Sequence, residues 1–167
     1  MQDQGIFIVR MQTPIDSSME FTDAKTREAE AFLGTRPEVR RYMVAVGGFG
    51  TGGQSNLTNI FVSMQPKGKR GIDPQAGHEL SQQELMTVTR EALKKMGLKV
   101  SIQDLSQRGF TASRGFPVEL AVQGRDWGRL VEYSESIIER LDATGLVTDA
   151  DSDYLLGKPE IQIIPDR

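Results

Sequence analysis

A loop of five glycines around one phenylalanine is the part of this sequence whose composition most suggests chemistry. The loop lies between two runs with strand character, Arg41–Val46 and Thr58–Met64, and its glycines are Gly47, Gly48, Gly50, Gly52 and Gly53. Glycine permits positive φ angles, and Phe49 has no apolar neighbour in the loop to pack against. The loop therefore predicts contact with a ligand, although a long hairpin without a ligand is an alternative.

The spacing Gly48-x-Gly50-x-x-Gly53 also matches the fingerprint of dinucleotide-binding sites. That fingerprint needs a helix directly behind it, because the helix N-terminus holds the pyrophosphate. Here the next residues, Asn56–Val62, have strand character. The sequence therefore does not favour a nucleotide site.

Other chemistry-bearing patterns are weak. The chain has no cysteine, no GxSxG motif and a single histidine, His78, in a polar stretch where we expect it to be solvated. Asp149, Asp151 and Asp153 have the first spacing of a calcium loop, but the rest of that motif is missing. We therefore predict no enzymatic activity, no cofactor and no metal site.

The composition is that of an ordinary globular protein. Of 167 residues, 38% are hydrophobic and 26% charged. The net charge of −3 does not indicate binding to nucleic acid or to an anionic membrane. No apolar run approaches the roughly 20 residues that span a bilayer, so we expect no membrane segment in this stretch.

The first hundred residues predict a β-α-β-β-α-β order, which is an α+β, ferredoxin-like arrangement. Capping boxes at Ser17–Glu20 and Ser81–Glu84 would begin the two helices, and Gly34 and Gly97 would end them. Residues 66–80, between the third strand and the second helix, predict a solvated connection. The strands are expected at residues 6–13, 38–46, 57–65 and 98–105.

The pattern then begins again and stops. A strand is predicted at 116–123, an amphipathic helix at 126–144 that ends at Gly145, and further strands at 146–151 and 159–164. This is a partial second βαβ-type unit. Its helix carries an apolar stripe of Leu130, Val131, Ser134, Ile137, Ile138 and Leu141.

Several segments together resemble one family. DQGIFIVRMQTP, VGGFGTGGQSN, NIFVSM, RGFPVELAVQG and TGLVTDADSDYLLGKPEIQIIPDR are similar, in this order, to the periplasmic porter region of resistance-nodulation-division (RND) efflux pumps. The closer similarity is to the hydrophobe/amphiphile branch, which includes the multidrug, acriflavin-resistance pumps. The resemblance implies that residues 1–107 are the first C-terminal porter subdomain and 110–167 the first part of the second.

The same resemblance implies a location, an energy source and partners. The parent would be a proton antiporter in the inner membrane of a Gram-negative bacterium, with this stretch in the periplasm. It would be a homotrimer that works with a periplasmic adaptor and an outer-membrane channel. Its substrates would be hydrophobic or amphiphilic small molecules.

The resemblance also implies site residues. The glycine loop would be a switch loop between an outer and an inner substrate pocket, with Phe49 and Phe61 as pocket aromatics. Val44 and Val46 would face the same pocket, and Arg10, which shares a strand face with Gln12, would border the outer one. The switch-loop positions are Gly47, Gly48, Gly50, Thr51, Gly52 and Gly53.

Two departures and several alternatives accompany this hypothesis. Val44 and Thr51 stand where the drug pumps carry phenylalanine, and Arg10 replaces an apolar residue, which predicts a more polar outer pocket.

Phe61 is alternatively a core residue, and Arg10 alternatively pairs with a carboxylate. The strand methionines Met11, Met43 and Met64 leave open a Cu(I)/Ag(I) exporter, because soft Cu(I) prefers thioethers. A stand-alone ferredoxin-like binding or regulatory module is the remaining alternative.

Overall fold

The computed structural model describes residues 3–48, 54–105 and 118–152 and residue 154. The chain divides into two compact units, Met1–Pro117 and Val118–Arg167. The first unit contains β1 (Ile6–Gln12), α1 (Met19–Gly34), β2 (Val39–Val46), β3 (Leu57–Met64), α2 (Gln82–Lys95) and β4 (Lys99–Asp104). The described part of the second unit contains α3 (Trp127–Thr144).

The first unit is a four-stranded antiparallel sheet with the strand order β2-β3-β1-β4. One face of the sheet packs on both helices, with α1 against β2 and β3 and α2 against β4 and β1. This confirms the predicted α+β class and is compatible with a ferredoxin-like subdomain. The buried core consists of Phe7, Val9, Met11, Ala29, Leu33, Ile60, Val62, Met64, Leu80, Leu85, Met86, Leu93, Leu98, Val100 and Ile102.

The N-cap of α1 lies one residue later than predicted. The Ser18 hydroxyl accepts a hydrogen bond from the Phe21 amide at 3.2 Å, so Ser18 and not Ser17 is the N-cap. Ser17 belongs to the preceding turn, where its amide donates to the Pro14 carbonyl at 3.0 Å. The predicted box at Ser17–Glu20 is therefore wrong, because the turn delays the first helical residue.

The capping box of α2 is confirmed. The Ser81 hydroxyl accepts from the Glu84 amide at 3.3 Å, and the Glu84 carboxylate accepts from the Ser81 amide at 2.8 Å. Beyond the other end of the helix, Gly97 has a φ of +74°, a conformation that glycine adopts at little cost. Local sequence signals therefore define both ends of this helix.

The predicted solvated connection at 66–80 is wrong in part, because three of its residues are buried, two in ion pairs and one in the core. Arg70 is only 3% exposed and binds both oxygens of Asp3, at 2.7 and 2.8 Å. Arg36 donates to Asp73 at 2.7 Å, and Leu80 joins the core. These contacts join residues far apart in the sequence, so composition alone could not indicate them.

Two carboxylates of this unit make its stability sensitive to acid. The hydrogen bonds from Arg70 lower the pKa of Asp3 from 3.8 to about 2, and the Ser81 amide lowers the pKa of Glu84 from 4.5 to about 2. The folded state therefore binds fewer protons than the unfolded state between these values. The stabilisation is present above the ordinary pKa values and is lost as the pH falls toward 2.

We accordingly predict that the urea midpoint of the chain falls between pH 5 and pH 2 and that Asp3→Asn flattens this fall. Asp3→Asn lowers the midpoint at pH 6 but changes it little at pH 2. A midpoint in the wild type that does not depend on pH across this window would contradict the prediction.

The second unit confirms its predicted helix. The Asp126 side chain caps α3 by accepting from the Arg129 amide at 3.1 Å, and Gly145 ends it with a φ of +66°. None of its residues is buried, and the predicted apolar stripe is half-buried. Among the described residues, none of the helices is both long and apolar enough to cross a membrane.

The strands predicted beside α3 are wrong where the structure describes them. Residues 118–123 and 146–151 are not in strands, and 118–123 are exposed. A strand needs a neighbour that accepts and donates its backbone hydrogen bonds, and the described part of this unit provides none. The strand predicted at 159–164 lies outside the described residues.

Candidate functional site

The sheet of the first unit has a second face, turned away from α1 and α2, which we call the far face. Residues directly opposite each other in antiparallel strands share a face, and neighbours along a strand alternate. Phe7, Val9, Ile60 and Val62 lie in the helix-packed core. The alternate positions therefore form the far face: Ile6, Ile8, Arg10, Gln12, Arg41, Met43, Ala45, Leu57, Asn59, Phe61, Ser63, Lys99, Ser101 and Gln103.

The far face brings an apolar row next to a polar row. In the first row Phe61 lies opposite Ile8 on β1 and opposite Met43 on β2. In the second row Arg10 lies opposite Asn59, whose side-chain oxygen accepts from Arg10 Nε at 3.4 Å. The face thus presents an aromatic ring close to a guanidinium, a combination suited to an amphiphilic molecule.

Three predicted site residues lie together on this face. Arg10, Gln12 and Phe61 are all partly buried there, and Arg10 and Gln12 share one face as the alternation predicts. Phe61 is not a member of the core cluster formed by the described residues. Its place on the far face therefore disfavours the alternative in which it is a core residue.

Val44 and Val46 lie on the other face. Val44 is opposite Ile60, Val46 is opposite Thr58, and Val44 packs against the core. The expectation that these valines face the same side as Phe61 is therefore wrong. The cause is the register of β2 on β3, in which Met43 and not Val44 lies opposite Phe61.

The described part of the glycine loop is its base. Gly47 donates from its amide to the Leu57 carbonyl at 2.7 Å and accepts at its carbonyl from the Gln54 amide at 2.9 Å. Gly47 and Gly48 have φ angles of +86° and +80°, which strain residues with a side chain. Phe49 and the predicted switch-loop positions Gly50, Thr51, Gly52 and Gly53 lie outside the described residues.

The sequence did not indicate how firmly the returning side of this loop is held. The Asn56 side chain donates to the Thr13 carbonyl at 3.2 Å, and the Thr13 amide donates to the Asn56 carbonyl at 2.9 Å. The Ser55 hydroxyl donates to the Ser17 carbonyl at 3.2 Å. The turn between β1 and α1 therefore fixes residues 55 and 56, a contact with no local signal in the sequence.

Buried threonines extend this anchor into the core side of the sheet. The hydroxyls of Thr13 and Thr22 lie 2.9 Å apart, as do those of Thr26 and Thr58. Each hydroxyl of the first pair has one proton and a second acceptor in reach, the Ser18 carbonyl at 3.1 Å from Thr22 and the Asn56 carbonyl at 3.3 Å from Thr13, so either can be the donor. These hydroxyl contacts join α1 to Thr13 and Thr58, next to the base of the glycine loop.

We predict that Gly47→Ala destabilises the chain by about 1–2 kcal/mol, the cost of a left-handed conformation for a residue with a Cβ. The added Cβ would meet only the flexible end of Met19 at 3.4 Å, so the backbone strain dominates. The matched control is Gly34→Ala in α1, where a Cβ meets nothing within 4 Å and the chain should become slightly more stable. Urea unfolding measures both; equal midpoints would contradict the prediction.

The three strand methionines do not converge. Met11 and Met64 are buried in the core, whereas Met43 is 56% exposed on the far face. A Cu(I) site needs several soft ligands around one point. Among the described residues there is also no group of three or more His, Cys, Asp or Glu side chains that could hold a metal ion.

Comparisons with known proteins add one family match. A model of the AcrB/AcrD/AcrF family matches residues 1–167. A search of curated proteins found no match. Among solved structures, a variant of SnoaB, a cofactor-independent oxygenase from Streptomyces nogalater, has 12% sequence identity and a TM-score of 0.34, and covers 70% of this chain and 100% of its own. A similarity this low carries no argument about the fold or the activity.

Proposed function

Because the chain belongs to the AcrB/AcrD/AcrF family of RND transporters, we propose that it is a periplasmic porter portion of a proton-driven multidrug efflux pump. The family is one of transporters and not of enzymes. Within the proposal the pump is of the hydrophobe/amphiphile branch. Residues 1–107 are its first C-terminal porter subdomain, and 110–167 begin the second.

The observation that carries this proposal is the far face. Phe61 and Met43 offer an apolar surface next to Ile8, which is only 9% exposed, and Arg10 and Gln12 lie beside it together with Asn59, which is only 5% exposed. Substrate pockets are mainly apolar with a few polar groups that orient the ligand. We therefore assign hydrophobic or amphiphilic small molecules as substrates, with Phe49 and Phe61 as aromatic contacts and with Arg10 and Gln12 at the more polar border.

The proposed mechanism is gating without catalysis. Each protomer of a homotrimer passes through access, binding and extrusion states, and the glycine loop separates an outer from an inner pocket. Gly47 and Gly48 support this role, because their positive φ angles suit a pivot, and residues 55 and 56 support it by anchoring the other side of the loop. A periplasmic adaptor and an outer-membrane channel receive the substrate.

The proposal places Val44 and Val46 behind the pocket. Both valines support β2 from the helix-packed side of the sheet, where Val44 contacts the core. Val44→Ala should therefore act through stability more than through substrate choice. The two aromatic residues should act through substrate choice.

The experiment that tests the proposal is to read the source gene on both sides of this stretch. The proposal requires one reading frame that encodes several apolar runs of ~20 residues before Met1 and after Arg167, with a further porter-like stretch. A start codon at Met1 and a stop codon after Arg167 would overturn it and would favour a binding or regulatory module.

A further inference from the structure

A compact ion cluster lies at the start of β2, at the opposite end of this strand from the glycine loop. Arg36 Nη2 donates to Glu38 Oε1 at 3.2 Å and to Asp73 Oδ2 at 2.7 Å. The Glu38 side chain is fully buried and that of Asp73 is 6% exposed. The other Asp73 oxygen accepts from the amides of Gln75 and Ala76, both at 2.8 Å, so Asp73 is satisfied.

Two atoms of this cluster are buried and have no hydrogen-bond partner among the described residues. They are Arg36 Nε, which is a donor, and Glu38 Oε2, which is an acceptor. Leaving either atom unsatisfied costs free energy, and the cost is larger because both groups are charged. The two atoms belong to the two groups that the 3.2 Å bond between Arg36 Nη2 and Glu38 Oε1 joins, so a donor and an acceptor are left over within one buried ion pair.

In the part of the chain that the structure describes, two other buried side-chain atoms without a hydrogen-bond partner differ from Arg36 Nε and Glu38 Oε2. Thr89 Oγ1 and Ser101 Oγ also have no partner among the described residues, but they belong to different elements, α2 and β4. Among the described residues, only the Arg36–Glu38 pair offers an unpartnered donor and acceptor within one ion pair. A single small molecule could satisfy both.

We propose that a buried water molecule binds between Arg36 Nε and Glu38 Oε2. Water accepts a hydrogen bond from the guanidinium N–H and donates one to the carboxylate oxygen, so it satisfies both atoms at once. A cation would satisfy the carboxylate but would be repelled by Arg36. An anion would satisfy the guanidinium but would be repelled by Glu38.

The water has a structural consequence. Asp73 lies in the connection between β3 and α2, whereas Glu38 directly precedes β2, and Arg36 joins them. By holding Arg36 through a second contact, the water orients the guanidinium toward both carboxylates. The site therefore fastens the long connection to the edge strand of the sheet, independently of any role in transport.

Solution NMR on the 167-residue chain tests this directly through the Nε–H signals of two arginines. Arg36 is the probe, and Arg70 is the internal control, because its buried Nε–H donates to the Gln65 carbonyl at 2.9 Å. We expect both protons to exchange slowly, and only the Arg36 proton to show a nuclear Overhauser effect to water. A slowly exchanging Arg36 proton without that effect would overturn the proposal.

Two variants of Glu38 sharpen the test. Glu38→Gln keeps a polar group that can bind the water and should keep the nuclear Overhauser effect between the Arg36 Nε proton and water. Glu38→Met, of similar size, removes that polar group and should abolish the effect. If Glu38→Met does not fold, the comparison of Arg36 with Arg70 in the wild type decides alone. A crystal structure should show a water roughly 2.7–3.2 Å from both atoms; a direct Nε–Oε2 bond, or a bound ion revealed by Rb⁺ or Br⁻ anomalous signal, would overturn the proposal.

Discussion

Replacing Arg70 by methionine should destabilise the chain by about 3–5 kcal/mol, the largest effect that we expect from a single substitution. Arg70 is 3% exposed and joins three segments: it binds both oxygens of Asp3 and donates to the carbonyls of Gln65 and Leu80. Methionine keeps the packing volume but leaves the Asp3 carboxylate without its main partner. Urea unfolding at pH 7 measures the loss.

The same carboxylate provides a matched control. Lys67 lies 3.9 Å from Asp3, but its side chain is 70% exposed, so Lys67→Met should cost only about 0–1 kcal/mol. Adding Asp3→Asn to Arg70→Met should recover part of the stability, because it removes the uncompensated charge. If Arg70→Met destabilised the chain no more than Lys67→Met, the contacts of Arg70 with Asp3 would not stabilise this unit.

Replacing both Phe49 and Phe61 by alanine should narrow the range of compounds that the proposed pump exports. A ring that an apolar substrate covers contributes about 1.5–3 kcal/mol to the free energy of binding, which corresponds to roughly a tenfold change in affinity or more. Resistance to large aromatic compounds should fall most, because such compounds use both rings. Growth of cells that express the full-length transporter, in the presence of chemically diverse compounds, measures the change.

The matched control for this pair is Phe21→Ala. Phe21 is 47% exposed on α1, on the opposite side of the sheet from the far face. Phe21→Ala should therefore leave the resistance profile unchanged at equal expression. A profile that is equally unaltered by loss of Phe49 and Phe61 would remove both residues from the substrate pocket.

The elements of the first unit could be predicted because their signals are local. The box formed by Ser81 and Glu84 and the stop at Gly97 are each complete within a few residues, and both are present. The β-α-β-β-α-β order follows from such signals, and it yields a ferredoxin-like sheet once the strands pair. The predicted cap of α1 was wrong by one residue because the turn at Pro14–Ser17 competes with it.

The errors come from contacts that the sequence does not encode locally. Asp3 and Arg70 are 67 positions apart, so the buried part of the connection at 66–80 had no signal. The face on which Val44 lies depends on the register of β2 against β3, and a shift of one residue exchanges the two faces. The strands expected beside α3 depend on neighbours that the described part of the second unit does not provide.

The candidate site could be predicted in composition but not in arrangement. Alternation alone placed Arg10 and Gln12 on one face, as the structure has them. Ligand contact by the glycine loop stays a prediction, because residues 49–53 lie outside the described residues. The meeting of Arg10 with Phe61 on the far face needed the pairing of β1 with β3. The anchors Asn56 and Ser55 needed the β1–α1 turn to fold against them.

Contact between the far face and substrate is the central claim, and photo-crosslinking tests it directly. A photoreactive phenylalanine analogue would replace Phe61 or, as the control, Phe21 in the full-length transporter, with a fluorescent amphiphile as substrate. We predict labelling through position 61, reduced by an excess of unlabelled substrate, and only background labelling through position 21. Equal labelling at the two positions, or none at position 61 while export continues, would contradict the account.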